Sequence, residues 1–273
     1  MKAMQVSLFE QPSRLQETGK RKSPSGEPTT RLVFSSHAGE NAELFAQILQ
    51  LHVAPGARVA DVTYGKGVFW SKVEASNYRL FPTDIKTGVD CRALPYADGA
   101  MDCLVLDPPY MEGLYRTDDS LAGKGTHETF QENYSNGVRP SEISAKWHDA
   151  VLEMYVQAAI EAKRVLCAGG VLIVKCQDEV SAGVQRLTHV EIIVNLNLLG
   201  FYTKDLFVLT RTNRPGVTRV VKQIHARKNH SYFIVLVKGA AKSKLASIAV
   251  MHHLLDGQAA ETGQLQKAVA KDR

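Results

Sequence analysis

Arg58-Val59-Ala60-Asp61-Val62-Thr63-Tyr64-Gly65-Lys66-Gly67 is the stretch on which the reading of the chain turns. Arg58 to Asp61 reads as a short buried strand that runs directly into a turn with two glycines. Glycine lets the backbone bend sharply and approach a ligand closely. The helix expected next, roughly Val68 to Glu74, would present unpaired amide groups at its start. A dinucleotide cradle needs a third glycine. Trp70 stands in its place, which counts against a bound pyrophosphate.

Working outward, Leu44, Phe45, Ile48, Leu49 and His52 recur at helical spacing from Glu40 onward, and Pro55-Gly56 ends that helix. Downstream, Tyr78 to Phe81 is a second strand, Val89-Asp90-Cys91 a third short one, and Cys103 to Leu106 a fourth. Trp147, Val151, Met154, Tyr155, Ala158, Ala162 and Val165 mark a long amphipathic helix, with Gly169-Gly170 expected as its C-cap. Val171 to Val174 follows as a strand. Val190 to Leu199 is a further helix closed by Gly200. Asp205 to Leu209 and Tyr232 to Val237 are two last strands, expected as an antiparallel pair at the sheet edge. Strand and helix alternate, and several strands are continuous apolar runs. That pattern belongs to a mostly parallel sheet with helices on both faces. In such sheets ligands lie beyond the carboxyl ends of the strands.

The composition agrees. Of 273 residues, 44% are apolar and 22% charged, which excludes a disordered chain, a collagen and a disulfide miniprotein. No apolar run reaches the roughly 18 residues that a membrane span needs. Residues 1–31 lack the apolar core of a signal peptide, so a cytoplasmic protein is expected. The four cysteines, at 91, 103, 167 and 176, form no C-x-x-C pair, so neither a disulfide framework nor a metal site is expected. Cys103 reads as a small core residue.

Two positions give the glycine turn a chemical direction. Asp84 lies 23 residues beyond Asp61, at the end of the next strand, where a carboxylate can accept both hydroxyls of a ribose. The competing reading is an aspartate that caps the next turn. The second position is Asp107-Pro108-Pro109-Tyr110, directly after an apolar strand. Two consecutive prolines fix two φ angles and remove two donors. The Pro108 carbonyl then points in a fixed direction, Asp107 offers a second acceptor, and Tyr110 offers a ring on which a base can stack. Two acceptors and a ring suit an exocyclic amino group on a planar heterocycle.

At these residues the chain resembles the amino-methyltransferases that move a methyl group from S-adenosylmethionine to adenine N6 or cytosine N4 of DNA. Asp107-Pro108-Pro109-Tyr110 matches that family's catalytic tetrad in full. Asp61 to Gly67 resembles its cofactor loop D-P-F-x-G-x-G, with Val62 in place of the proline and Thr63 in place of the aromatic residue. The likeness covers roughly residues 35 to 238. It implies a Rossmann-like α/β sheet, mostly parallel with an antiparallel edge strand, and S-adenosylmethionine as cofactor. It implies Asp61, Thr63, Tyr64, Gly65, Gly67 and Asp84 as cofactor residues. By looser correspondence it adds His37 and Asn41 at the methionine end, Asp90 at the adenine and Cys91 packed on that ring. Lys175 has no role in this reading and is expected as a solvated strand-end lysine. A tetrad that begins with Asp favours adenine in this family. The same chemistry on cytosine N4, on RNA or on a glutamine side chain is the alternative, as is a non-catalytic subunit that binds DNA.

The domain expected at 35–240 is flanked by a basic arm, 1–34, and a helical tail, 241–273. Neither the insert at 111–146 nor the tail is long enough for a separate recognition domain. Recognition therefore falls to a small element, to a second copy in a homodimer, or to a specificity partner. Residues 206 to 255 hold nine Lys and Arg and no acid, against a net charge of only +5 for the whole chain. Arg211, Arg214, Arg219, Lys222, Arg227 and Lys228, with His225 among them, form a basic loop at 210–231 suited to DNA phosphates. The partner expected is duplex DNA with the target base flipped out of the stack, in a restriction-modification or phage setting. The insert, with Tyr115, Phe130 and Tyr134, is expected to close over that base.

Overall fold

The computed structural model describes residues 32–110, 148–212 and 223–239. Residues 1–31 of the expected arm, the insert and the tail lie outside them, as do Trp147, Arg214, Arg219 and Lys222. In chain order the elements are β1 (Ser36–Ala38), α1 (Asn41–His52), β2 (Arg58–Asp61), β3 (Arg79–Pro82), β4 (Met101–Leu106), α2 (His148–Val165), β5 (Leu166–Cys176), β6 (Glu179–Ser181), β7 (Val184–Arg186), α3 (Thr188–Leu198), β8 (Phe201–Thr210) and β9 (His230–Lys238). Seven strands form one sheet in the order β1-β8-β9-β5-β4-β2-β3, and β6 and β7 form a separate hairpin. Among the described strands of the large sheet, only β9 runs against its neighbours. The fold is therefore a Rossmann-like α/β sheet.

Side chains alternate across the strands, so each strand feeds two cores. Val59, Cys103, Val105, Ile173, Phe233 and Val235 pack under Leu44, Phe45, Ile48 and Leu49 of α1. Ala60, Leu104, Leu106, Leu172, Val174 and Ile234 pack under α2 and α3. Both faces of the sheet are covered, which is why the central strands read as unbroken apolar runs. The alternation also fixes where polar residues at strand ends point. Asp61 follows Val59 by two, Asp107 follows Val105 by two and Lys175 follows Ile173 by two, so all three share the α1 face.

Four expectations about the elements need correction. Val89-Asp90-Cys91 is not a strand. Its backbone closes turns (Val89 N–H to Asp84 O, Ala93 N–H to Asp90 O), and α2 serves the loop beyond, with Arg164 donating to the carbonyls of Leu94 and Tyr96. Gly169-Gly170 does not cap a helix. α2 ends at Val165 and β5 starts at once, and pairing with β4 jumps from Met101–Leu166 to Cys103–Val171. The glycines form the resulting bulge, with Gly169 at φ 73°. The helix after the glycine turn is a short 3-10 segment, Val68–Lys72. Finally, the antiparallel strand is not at the edge. β1, a strand too short to show in the sequence pattern, pairs with β8 outside it.

The β6–β7 hairpin was also not anticipated. Its turn, Ala182-Gly183, has positive φ at both residues (49° and 77°), the geometry that matches the twist of a two-residue hairpin. The hairpin is held to the helical layer through His148, the first residue of α2, which is 1% exposed. Its Nδ1 lies 2.6 Å from Glu179 Oε1 and its Nε2 2.8 Å from Glu191 Oε2. With both ring nitrogens facing carboxylates, the imidazole carries both protons. Burial opposes that charge, but the two glutamates outweigh it and raise the pKa above the ordinary value. Among the described residues no helix is long and apolar enough to cross a membrane.

Because the folded pKa of His148 lies above the unfolded one, its contribution is complete below about pH 6.5 and is lost as pH rises through the folded value. Urea unfolding should therefore show stability falling as the pH rises above about 6.5. His148→Asn should cost roughly 3 kcal/mol at the acid end and flatten the slope.

Candidate active site

The glycine turn is rigid before anything binds to it. Asp61, at the carboxyl end of β2, is 3% exposed. One carboxylate oxygen accepts from Trp70 Nε1–H at 2.7 Å and the other from Thr63 N–H at 3.1 Å. Burial raises its pKa to about 6, against the pull of those two donors and with a smaller push from the charge of Asp84. Trp70, which displaces the third glycine of a pyrophosphate cradle, thus serves as the clamp on the acid. Gly67, at φ 68°, closes the turn by donating to Tyr64 O at 2.8 Å. A Cβ at Gly67 would strike the Tyr64 ring at 2.5 Å. At Gly65 (φ 54°) a Cβ would have no neighbour closer than 3.9 Å, so this part of the turn faces open space.

Asp84 is the residue for which two readings competed, and it does cap the next turn. Its Oδ1 accepts from Lys86 N–H at 3.0 Å, and its own N–H donates to Thr87 Oγ1 at 3.0 Å. Its Oδ2 also accepts from Gly65 N–H at 3.1 Å, which ties the end of β3 to the glycine turn. Each carboxylate oxygen can accept more than one hydrogen bond, so capping leaves room for a ligand hydroxyl.

The Asp-Pro-Pro-Tyr corner stands beside this turn because β4 pairs with β2 through Asp61–Val105. Asp107 N–H donates to Thr63 Oγ1 at 2.7 Å, a direct stitch between the two corners. Thr63, a departure from the aromatic residue of the resembled loop, supplies that link. Asp61, Thr63, Tyr64, Gly65, Lys66, Val68, Phe69, Lys86 and Asp107 line one cleft of about 380 Å³. Within it Asp107 Oδ1 is sealed from solvent and meets no hydrogen-bond donor among the described residues. Burial, with a smaller push from Asp61, raises the pKa of Asp107 to about 7 even against the opposing charge of Lys175. Tyr110 is half-buried and packs against the core under α2 and α3, and Arg211 Nη2 donates to its hydroxyl at 3.5 Å.

Lys175 was expected in solvent and is instead 3% exposed. Its Nζ donates to Ser231 Oγ and sits 4.3 Å from the centre of the Phe233 ring. The sequence did hold a signal, since Lys175 is flanked by Val174 and Cys176 in an otherwise apolar strand.

Other expected cofactor residues sit elsewhere. Cys91 is buried in the core, its Sγ 3.9 Å from Met154 Sδ, so it does not reach the cleft. The Asp90 carboxylate is held by its neighbour, with Arg92 Nη2 at 2.6 Å. Burial pushes the pKa of Asp90 up, but the hydrogen bonds and charge of Arg92 outweigh it and hold the group below its ordinary value. His37 lies on β1, at the sheet edge opposite to β3, with Nε2 3.4 Å from Glu43 Oε2. Asn41 opens α1, and its Oδ1 is buried without a hydrogen-bond partner. Neither lines the cleft. Asp90 and Cys91 thus have local partners, whereas His37 Nε2 is buried near Glu43 without a hydrogen bond among the described residues.

The described part of the basic loop leaves and re-enters the sheet at the same carboxyl edge, between β8 and β9. Arg211 N–H donates to Asn229 O at 2.8 Å, closing the loop's base. His225 Nε2 lies 3.0 Å from Gly183 O in the hairpin turn, and Lys228 Nζ donates to Gln185 Oε1. Arg227 is exposed. His225 and Lys228 thus rest on the β6–β7 hairpin, and Arg211, at the start of the loop, meets Tyr110 of the tetrad.

No family model matches the chain, and no curated protein matches it. Among solved structures, it is similar to a proposed DNA modification methylase of Thermus thermophilus, at 14% identity over 69% of this chain and 55% of that one, with a TM-score of 0.32. It is similar to TrmN of Thermus thermophilus, at 16% identity over 71% and 48% with a TM-score of 0.38. It is also similar to the 1,6-didemethyltoxoflavin-N1-methyltransferase of Burkholderia thailandensis, at 13% over 73% and 79% with a TM-score of 0.43. The chain spans about half the length of the first two. At such scores these likenesses decide nothing about activity, which must be argued from this chain's own residues.

The stitch between the corners can be tested by itself. Thr63→Val keeps the shape of the side chain and leaves the Asp107 N–H unpaired, so thermal or urea unfolding should show a loss of about 1–3 kcal/mol.

Proposed function

We propose that this protein is an S-adenosylmethionine-dependent methyltransferase acting on the exocyclic amino group of a nucleic-acid base, with adenine N6 in duplex DNA as the favoured target. The supporting observation is the junction of two corners in one cleft. The glycine turn presents open space and hydroxyl acceptors, and the neighbouring corner presents a carboxylate oxygen with no donor of its own. A site built around an unsatisfied buried acceptor is ready for a ligand that brings an N–H to it.

The residues present fit the cofactor. Asp84 retains acceptor capacity for ribose hydroxyls, and Gly65 allows close approach of the backbone. Lys66, Val68 and Phe69 line the same cleft. When bound, S-adenosylmethionine supplies an electrophilic methyl group on a sulfonium. The chain's own part is to position and polarise the acceptor. Asp107 Oδ1 accepts one amino hydrogen of the base, and the Pro108 carbonyl, aimed by the rigid Pro-Pro corner, accepts the other. Those two bonds draw the nitrogen away from planar conjugation, so its lone pair becomes available for attack. Tyr110 offers a stacking face, with its hydroxyl held by Arg211. An amino group inside a duplex cannot reach this corner, so the base must leave the stack. Arg211, Arg227 and Lys228, with His225, would hold the flanking phosphates.

Incubation of the full chain with radiolabelled S-adenosylmethionine and unmodified duplex DNA should place label on the N6 of adenine. Transcribed RNA and protein should remain unlabelled under the same conditions. Asp107→Ala should lower the transfer rate by on the order of 10²–10³-fold, while cofactor binding measured by calorimetry stays within about threefold. Equal transfer by the variant would remove the proposed role of Asp107.

Phosphate contacts predict a salt dependence. Arg211→Ala and Arg227→Ala should each weaken DNA binding across unrelated sequences. Each should also reduce the slope of log affinity against log salt by about one.

A further inference from the structure

We propose that Lys175 is a positioning residue whose buried ammonium favours the ionised, hydrogen-accepting form of Asp107 at the cleft. This rests on the reading of Asp107 as the acceptor of the amino hydrogens.

β4 pairs with β5 in parallel through Leu106–Val174, so the next positions on the two strands are Asp107 and Lys175. Paired residues on neighbouring strands share a face and lie about 5 Å apart. Across β5, Lys175 pairs with Phe233 of β9. A carboxylate, an ammonium and an aromatic ring therefore form a row on the α1 face, at the carboxyl ends of the strands.

The ammonium is held firmly. Ser231 Oγ takes one of its three donors, and the face of Phe233 draws the charge to 4.3 Å. Behind it, Tyr155 O–H donates to the Lys175 carbonyl at 2.8 Å and fixes the strand end from the α2 side. A hydroxyl and a ring cannot by themselves offset burial of a full charge. The facing groups are Asp107 from β4, Arg211 from β8, and Cys176 on the same strand, with Asp61 of β2 beyond Asp107. Burial and Arg211 work against the charged lysine, and Asp107 is the carboxylate that favours it.

The same row solves a problem for Asp107. The residue is half-buried with Oδ1 sealed, beside a second carboxylate, Asp61, and both facts favour its protonation. A protonated Asp107 would direct an O–H at the amino hydrogens it is meant to accept. Lys175 supplies the opposing charge from the side away from Asp61. It leaves Asp107 Oδ1 without a donor, since the lysine bonds to Ser231 instead.

The test reads the ionisation of Asp107 directly. In isotope-edited infrared titrations of the full chain, the Asp107 carboxyl band is assigned by its loss in Asp107→Asn. Lys175→Met should raise the midpoint of that band by about one pH unit or more, and Lys175→Arg should keep it near the parent value. The acid limb of the methyl-transfer profile should move to higher pH by the same amount, with the rate recovered in alkaline buffer. If Lys175→Met leaves the midpoint unmoved, or lowers transfer equally at every pH, the proposal is overturned. Should Lys175→Met not fold, Ser231→Ala, which frees the ammonium from its hydroxyl, must shift the midpoint detectably, and an unmoved midpoint overturns the proposal. If the parent chain transfers no methyl group, the proposed function fails, while the infrared titration still decides whether Lys175 governs Asp107.

Discussion

The 2.7 Å hydrogen bond from Asp107 N–H to Thr63 Oγ1 is the contact on which the site depends. It joins the ends of two parallel strands just where each leaves the sheet. The backbone bonds between β2 and β4 end with Val62 N–H donating to Val105 O at 3.2 Å. Beyond that point nothing in the ladder would hold the glycine turn against the Pro-Pro corner. A side-chain hydroxyl takes over where the backbone ladder stops, and it pairs an amide that would otherwise be left without an acceptor.

A second constraint is the accumulation of charge at low exposure. Asp61, Asp107 and Lys175 all lie on the α1 face, two residues beyond apolar positions of the same strands. Strand periodicity places them together and the α1 layer limits their access to water. The sheet offsets the cost locally. Trp70 and Thr63 donate to Asp61, Ser231 and the Phe233 ring hold Lys175, and Asp107 keeps one oxygen without a hydrogen-bond donor among the described residues. Buried ionisable groups with one unsatisfied acceptor commonly mark functional sites. Here they stand at the carboxyl ends of the parallel strands, where such sheets bind ligands.

The sequence patterns fared unequally, for physical reasons. The long apolar runs, Leu104 to Leu106 and Phe233 to Val237, were legible because a strand covered on both faces has no polar alternation to confuse it. Val89 to Cys91 misled because a short apolar pair flanking an aspartate fits a turn as well as a strand. Its backbone hydrogen bonds are those of short local turns, Val89 N–H to Asp84 O and Ala93 N–H to Asp90 O. Gly169-Gly170 misled because a glycine with positive φ serves a bulge as readily as a helix cap. β1 was invisible, since three residues at an edge carry no period at all.

The chain alone established the alternating α/β plan, the glycine turn after Asp61 and the acceptor-rich corner at Asp107 to Tyr110. Those features are local, written in consecutive residues and in the stiffness of proline. Tertiary structure decided what lies beside what. It put Asp107 against Thr63, drew Lys175 out of the solvent and into the row with Asp107 and Phe233, turned Cys91 into the core and laid the basic loop on an unforeseen hairpin. These are matters of strand order and register, which depend on pairing between segments far apart in the chain, and no local pattern encodes them.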